Sequence, residues 1–168
     1  MIILFSSEAR ARASFCPCPY TLTIAPPSSI TVPGQPGELR HLHAFLGEFW
    51  ARHDLPPGDA MRMELGLEEV FINVVTHGLA SVDMVDAPVT VDLRLHDGSL
   101  ELGVEDPGPA FDPLAQGPVD TTTGMATRRM GGLGIHLVKT MLDDVRYERV
   151  GDHNRLVMVA RLGTHPAR

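Results

Sequence analysis

Asp97-Gly98 stands between two alternating stretches, and no other feature of the 168-residue chain restricts its fold as tightly. An Asp-Gly pair suits the left-handed backbone of a two-residue hairpin turn. Ahead of it Val89, Val91, Leu93 and Leu95 alternate with Thr90, Asp92, Arg94 and His96; beyond it Leu100, Leu102 and Val104 alternate with Glu101 and Glu105. Counting outward from the turn sets Leu93 opposite Leu102 and Val91 opposite Val104, so one face of the hairpin is apolar and must be covered. The same count gives Asp106 the parity of the covered face, at the end of its strand. An unpaired carboxylate is costly to bury. Asp106 therefore either caps the following Pro107-Gly108 loop as an Asx turn or accepts hydrogen bonds from a ligand.

What covers the hairpin is legible from a second period. Leu39, Leu42, Leu46, Phe49 and Trp50 recur at helical spacing between Glu38 and Arg52, and His53-Asp-Leu-Pro-Pro-Gly58 breaks that helix. A second helix is expected from about Asp59 to His77, closed by Gly78. Met63, Leu67, Val70 and Val74 fall on one stripe of it, widened by Phe71 and Val75, with Glu64 and Glu68 toward solvent. Glu69, Asn73 and His77, four residues apart, line the other margin of the stripe. Taken alone, such a line is the polar flank of a buried helix.

The remaining elements follow the hairpin. Residues 107–131 are rich in Gly, Pro and Thr and lack apolar periodicity, and a loop of that length in a compact domain is commonly a lid or binding segment. Gly131-Gly-Leu-Gly134 then runs straight into a short apolar helix ending near Leu142, a fit to a phosphate cradle at a helix N-terminus. It is not a Walker loop, since no Gly-Lys-Ser/Thr follows, and a Thr-rich loop replaces the strand that a dinucleotide fingerprint requires. Val145–Val150 and Arg155–Leu162 read as a closing hairpin around Gly151-Asp-His-Asn154. A short strand is expected at Tyr20-Thr-Leu-Thr-Ile24, followed by a Pro/Ser/Gly-rich connection to Gly37. The order predicts an α/β two-layer sandwich, with a mixed, mostly antiparallel sheet and helices on one face.

Composition excludes several classes. With 43% hydrophobic and 21% charged residues, the chain is no collagen, coiled coil or disulfide scaffold. Its net charge of −7 is unsuited to gripping nucleic acid by its phosphates, so no direct nucleic-acid partner is expected. The charge is uneven: residues 61–127 carry two basic and twelve acidic side chains, and residues 128–168 carry eight and four. The basic third suits an anion or an acidic partner, although solvated surface explains most of these charges. Cys16 and Cys18 lack accompanying ligands at zinc spacing, and His41 and His43 belong to an amphipathic helix. Residues 1–19 read as an extension, 20–163 as one domain and 164–168 as a tail. Without a membrane-length apolar run or a signal-peptide core, a cytoplasmic location away from membranes is expected.

Three motifs occur in order: Glu69-Val-Phe-Ile-Asn73-Val-Val-Thr-His77-Gly78, Asp106-Pro-Gly108-Pro-Ala-Phe111-Asp112-Pro113, and Gly131-Gly-Leu-Gly-Ile135. Together they resemble the N box and the two glycine boxes of the GHKL ATPase superfamily, with its Bergerat-type ATP-binding fold. Within it, the stretch from Gly132 to Arg149 is most similar to bacterial anti-sigma-factor serine kinases of partner-switching systems. The resemblance spans about residues 20–162. It implies that Asn73 supplies an amide oxygen to Mg²⁺, that Glu69 orients or deprotonates the attacking hydroxyl, and that Asp106 accepts from the adenine amino group. Gly108 would let the chain pass the base, with Phe111 in the same box, and His77 would help shape the pocket. Gly131, Gly132, Leu133 and Gly134 would receive the phosphates under a lid at 114–130. Arg128 and Arg129 end that lid, open to phosphate contact or to solvent alike. One departure stands out: superfamily members often carry a Gly-Thr near the last strand whose hydroxyl supports the adenine pocket, where this chain has His153-Asn154-Arg155.

The resemblance implies a Ser/Thr protein kinase that binds Mg-ATP and phosphorylates a STAS-type anti-sigma-factor antagonist. The antagonist would compete with a sigma factor or another regulator, and a homodimer would be in keeping. The alternative is a non-catalytic module that sequesters a regulator in a nucleotide-dependent way. A metabolic or DNA-directed ATPase fits the small size and acidic charge less well. A complete sensor histidine kinase, with a helical segment carrying a phosphoacceptor histidine ahead of the domain, is not expected, nor are the longer chaperone or gyrase architectures.

Overall fold

The computed structural model describes residues 27–115 and 132–163. The covered hairpin is its centre. Strands β2 (Pro88–His96) and β3 (Ser99–Asp106) pair in the register expected, Leu93 opposite Leu102 and Val91 opposite Val104. Asp97 and Gly98 both take positive φ, 49° and 71°, as a tight right-twisting hairpin demands.

Strand β1 (Ser28–Pro33) adds to β2, and β5 (His153–Arg161) to β3, with β4 (Asp144–Val150) beyond it. Every ladder among the described strands is antiparallel, so this mostly antiparallel sheet has no parallel pair in its described part. The strand expected at 20–24 lies outside the described residues. The described edge strand instead occupies the segment expected to be a connection. Its flanking prolines disguise the alternation of Ile30 and Val32 with Ser29 and Thr31, and an edge strand tolerates them.

Helix α1 (Leu39–Arg52) follows a 3₁₀ turn at Pro36–Glu38 and buries Leu42, Leu46, Phe49 and Trp50. Asp54, at φ 49°, turns the chain, and α2 (Pro57–Asn73) starts with Pro57, whose fixed φ suits a first turn. Met63, Leu67, Val70 and Phe71 are buried against the sheet. Gly66 sits where α2 meets the third helix and the sheet; a β-carbon there would lie 3.1 Å from Met158 Sδ and 3.4 Å from Leu142 Cδ1. Helix α3 (Gly132–Met141) buries Ile135 and Val138 beside α2.

The end of the second helix departs from expectation. From Val74 to Leu79 the backbone widens into a π-helix, a 3₁₀ turn follows at Ala80–Val82, and Asp83 takes the left-handed conformation at φ 61°. Gly78 is therefore inside the helical run, not its terminator. Asp59, only 2% exposed, and Arg62 lock the layers together at the other end. Arg62 donates to Asp59 Oδ1 at 2.6 Å, to the Met141 carbonyl at 2.9 Å and to the Arg161 carbonyl at 3.3 Å, while Asp59 Oδ2 accepts from Gly163 N–H at 2.8 Å.

The helix-free face is polar. Arg155 reaches over Gly103 to grip Asp92 with two hydrogen bonds, 2.7 and 3.0 Å, and a β-carbon at position 103 would fall on both side chains. The hydrogen bond to Asp92 raises the Arg155 pKa against the opposing desolvation. No described helix is long and apolar enough to cross a membrane.

Candidate nucleotide site

Asp106 ends β3 on the helix side of the sheet, as its parity predicts, and is 4% exposed there. Its Oδ1 accepts from Gly108 N–H at 2.8 Å, which is the Asx turn, and from Asn154 Nδ2 at 3.1 Å. Oδ2 takes no hydrogen bond among the described residues. The two readings of Asp106 thus divide between its oxygens: one closes the loop, the other is open to a ligand.

That carboxylate lines an open cleft between α2, the sheet's end and α3. Val70, Val74, Val104, Ile135 and Leu156 make it apolar, and Asn73, Asp106, Tyr147 and Asn154 supply polar atoms. Such a cleft, greasy with a few convergent polar groups, is the ordinary form of a small-molecule site. Asn73 brings an orphan: its Nδ2 is buried without a hydrogen-bond partner among the described residues. A buried amide left unpaired costs about 1–3 kcal/mol, so the position is one that a ligand would relieve. Phe111, 45% exposed, closes one side of the cleft.

The other expected site residues sort as follows. Glu69, half-buried one turn before Asn73, packs on the first turn of α3: a β-carbon at Gly134 would fall on its carboxylate. Gly134 thus makes room for Glu69, whatever else it receives. Gly132 and Leu133 open α3. Gly108 is required by the loop itself, because a β-carbon there would come within 2.7 Å of Asp106 Oδ1; it does not line the cleft. His77, expected to shape the pocket, is exposed and outside the lining. The π-helix breaks the four-residue spacing after Asn73 and turns His77 away. Gly131, Arg128, Arg129 and 116–130 of the expected lid lie outside the described residues, as do Cys16 and Cys18.

Two contributors, Tyr147 and Arg149, escaped the sequence reading, and a third, Asn154, was met there only as a departure from the superfamily's Gly-Thr. The second hairpin turn is tighter than expected, Gly151-Asp152, so Asn154 is in β5, directly opposite Asp106. Asn154 Oδ1 accepts from Tyr147 Oη and Arg149 Nη1, both at 2.9 Å, and from Phe111 N–H at 3.2 Å. Arg149 Nη1 also donates to the Gly108 carbonyl at 2.9 Å. The register could have found them, since Arg149 pairs with Asn154 once the turn is shortened.

Residues 32–160, most of the chain, match the histidine kinase-like ATPase domain. The chain belongs to that family. Among curated proteins it is similar to the serine-protein kinase RsbW of Listeria monocytogenes, 31% identical over 88 residues, covering 50% of this chain and 55% of that one. It is also similar to the serine-protein kinase RsbW of Bacillus pumilus, 29% identical over 90 residues, covering 51% and 56%. The matches thus span about half the length of these relatives. Among solved structures, the RsbU and RsbW domains of Rv1364c from Mycobacterium tuberculosis share the fold, with a TM-score of 0.60 at 21% identity, over 86% of this chain and 34% of that one. The family assignment makes the cleft the candidate ATP site and leaves the roles of its side chains to be argued from their chemistry.

Proposed function

We propose that this chain is an ATP-dependent serine/threonine protein kinase of the anti-sigma type, acting on a STAS-type antagonist in a partner-switching circuit. The observation that carries the reading is the convergence on one apolar cleft of Asn73, whose buried amide nitrogen has no partner among the described residues, and Asp106, whose Oδ2 has none among them. The base of ATP would enter at Asp106, whose Oδ2 accepts a proton-bearing nitrogen. The phosphates would extend toward Asn73 and the first turn of α3, where helix N–H groups favour anions.

The donor set fits Mg²⁺. Among the described residues no three His, Cys, Asp or Glu side chains gather as a metal cage, and Asn73 offers one oxygen when its amide turns. Such a site suits an ion that keeps water and phosphate oxygens as its other ligands. When bound, Mg²⁺ would offset the charge of the transferring phosphate. Glu69 would accept the proton of a serine or threonine hydroxyl as that oxygen bonds to the γ-phosphorus and the bond to the β-phosphate oxygen breaks, releasing ADP.

A second reading, a sequestering module that binds nucleotide without chemistry, draws on one observation: the Glu69 carboxylate rests against Gly134 and is not among the cleft-lining side chains. Either way the partners would be a STAS-type antagonist and a sigma factor or other regulator, with the chain in the cytoplasm. Incubating the protein with Mg-ATP and the STAS-type protein encoded beside it separates the readings. The kinase reading expects phosphate on a serine or threonine of that protein and a loss of 10²-fold or more, roughly, in Glu69→Ala. Transfer by Glu69→Ala at the parent rate would remove Glu69 as the base; a nucleotide-dependent complex with no transfer would favour sequestration.

A further inference from the structure

Asn154 is 7% exposed and is fully engaged. Its Oδ1 takes three donors, Tyr147 Oη, Arg149 Nη1 and Phe111 N–H, at 2.9, 2.9 and 3.2 Å. An amide nitrogen cannot occupy that position, so the side chain is held in one sense. Its Nδ2 must face the other way, toward Asp106 Oδ1 at 3.1 Å and the carbonyls of Pro109 and Gly108 at 2.9 and 3.3 Å. We infer that Asn154 is a positioning residue that sets purine selectivity by occupying one oxygen of Asp106. The inference deepens the nucleotide reading above and rests on it.

The chemistry turns on how many acceptors Asp106 presents. A carboxylate with both oxygens free suits guanine, whose N1–H and N2–H₂ form a parallel pair of donors. With one lone pair of Oδ1 taken by Gly108 N–H and the other by Asn154 Nδ2, only Oδ2 is left without a partner among the described residues. A single acceptor matches the single amino group on the adenine edge and leaves one guanine donor unpaired. Tyr147 and Arg149 act at one further remove, by preventing the Asn154 amide from turning over.

An isosteric pair tests this in the full-length chain. Threonine at 154 keeps one hydroxyl donor for Asp106 Oδ1; valine has the same shape and no donor. Both lose the amide's bonds to Gly108, Pro109, Phe111, Tyr147 and Arg149 alike, so a general loosening of the loop affects them equally. Titrating each with Mg-ADP and Mg-GDP, the unmodified chain should prefer ADP. Asn154→Thr should hold the ADP:GDP affinity ratio within about threefold, and Asn154→Val should lower it about tenfold, the usual effect of one hydrogen bond. Equal shifts in the two variants, or no shift in either while ADP still binds, would overturn the role. Should Asn154→Val fail to fold, Asp106→Asn serves. Gly108 N–H and Asn154 Nδ2 would claim its amide oxygen and turn its NH₂ to the cleft, so the ratio should move toward GDP, and an unmoved ratio would overturn the role. Absence of ADP binding by the unmodified chain would instead overturn the nucleotide reading itself, and this inference with it.

Discussion

Glu69 and Gly134 face each other across the gap between α2 and α3, and their packing separates stability from activity. Alanine is the better helix former, so Gly134→Ala should leave folding stability unchanged or raise it by up to about 1 kcal/mol. The new methyl group would nevertheless displace the Glu69 carboxylate, the movable end of a flexible side chain. On the kinase reading, phosphate transfer should fall at least about tenfold, with a denaturation midpoint no lower than the parent's. A variant that transfers phosphate normally would show that Glu69 acts from elsewhere. At this scale the sequence told much about Asp106, whose burial followed from counting residues from a turn. It marked Asn154 only as a departure from the superfamily's Gly-Thr: a four-residue turn and a two-residue turn give Asn154 opposite roles, and Gly151-Asp-His-Asn154 allows both. Spacing alone made Asn73 part of a polar flank and the resemblance gave it a role, but its lack of an amide partner among the described residues is a property of packing that no spacing encodes.

Elements with one strong period were the most legible. The central hairpin has the expected register, because slipping it by one residue would turn every leucine and valine to solvent. The helical stripe of α2 is equally plain up to Asn73. Beyond it the π-helix and Asp83 were hidden, since Gly78 offers a stop signal that the packed chain does not use. The clamp at the start of α2 was hidden too, because Asp59, Arg62 and the carbonyls of Met141 and Arg161 are far apart in sequence. Its weight is testable. Arg62→Ala removes the partner of a nearly buried Asp59 and the donor to two carbonyls, and breaking a buried pair on one side costs about 3–5 kcal/mol. Urea denaturation should show a loss of about 3 kcal/mol; a loss below about 1 kcal/mol would mean that the layers are held by apolar packing alone.

Over the whole molecule, layers and site are one construction. The sheet's apolar face lies against α1, α2 and α3, and its far end meets α2 and α3 where Asp106, Asn154 and Asn73 border the cleft. The two-layer architecture was legible from the order of periods, and the candidate site was suggested by three motifs, of which Asn73, Asp106 and Ile135 line one cleft. The binding of adenine nucleotide at this cleft is the claim on which the kinase assignment and the selectivity inference both depend. Calorimetric titration of ADP in magnesium buffer tests it most directly, with Asp106→Ala and Asn73→Leu beside the unmodified chain. Saturable one-site binding is expected of the unmodified chain, weakened about tenfold or more in Asp106→Ala, and losing its magnesium dependence in Asn73→Leu. No saturable heat with the unmodified chain, or equal affinity in all three proteins, would contradict that claim.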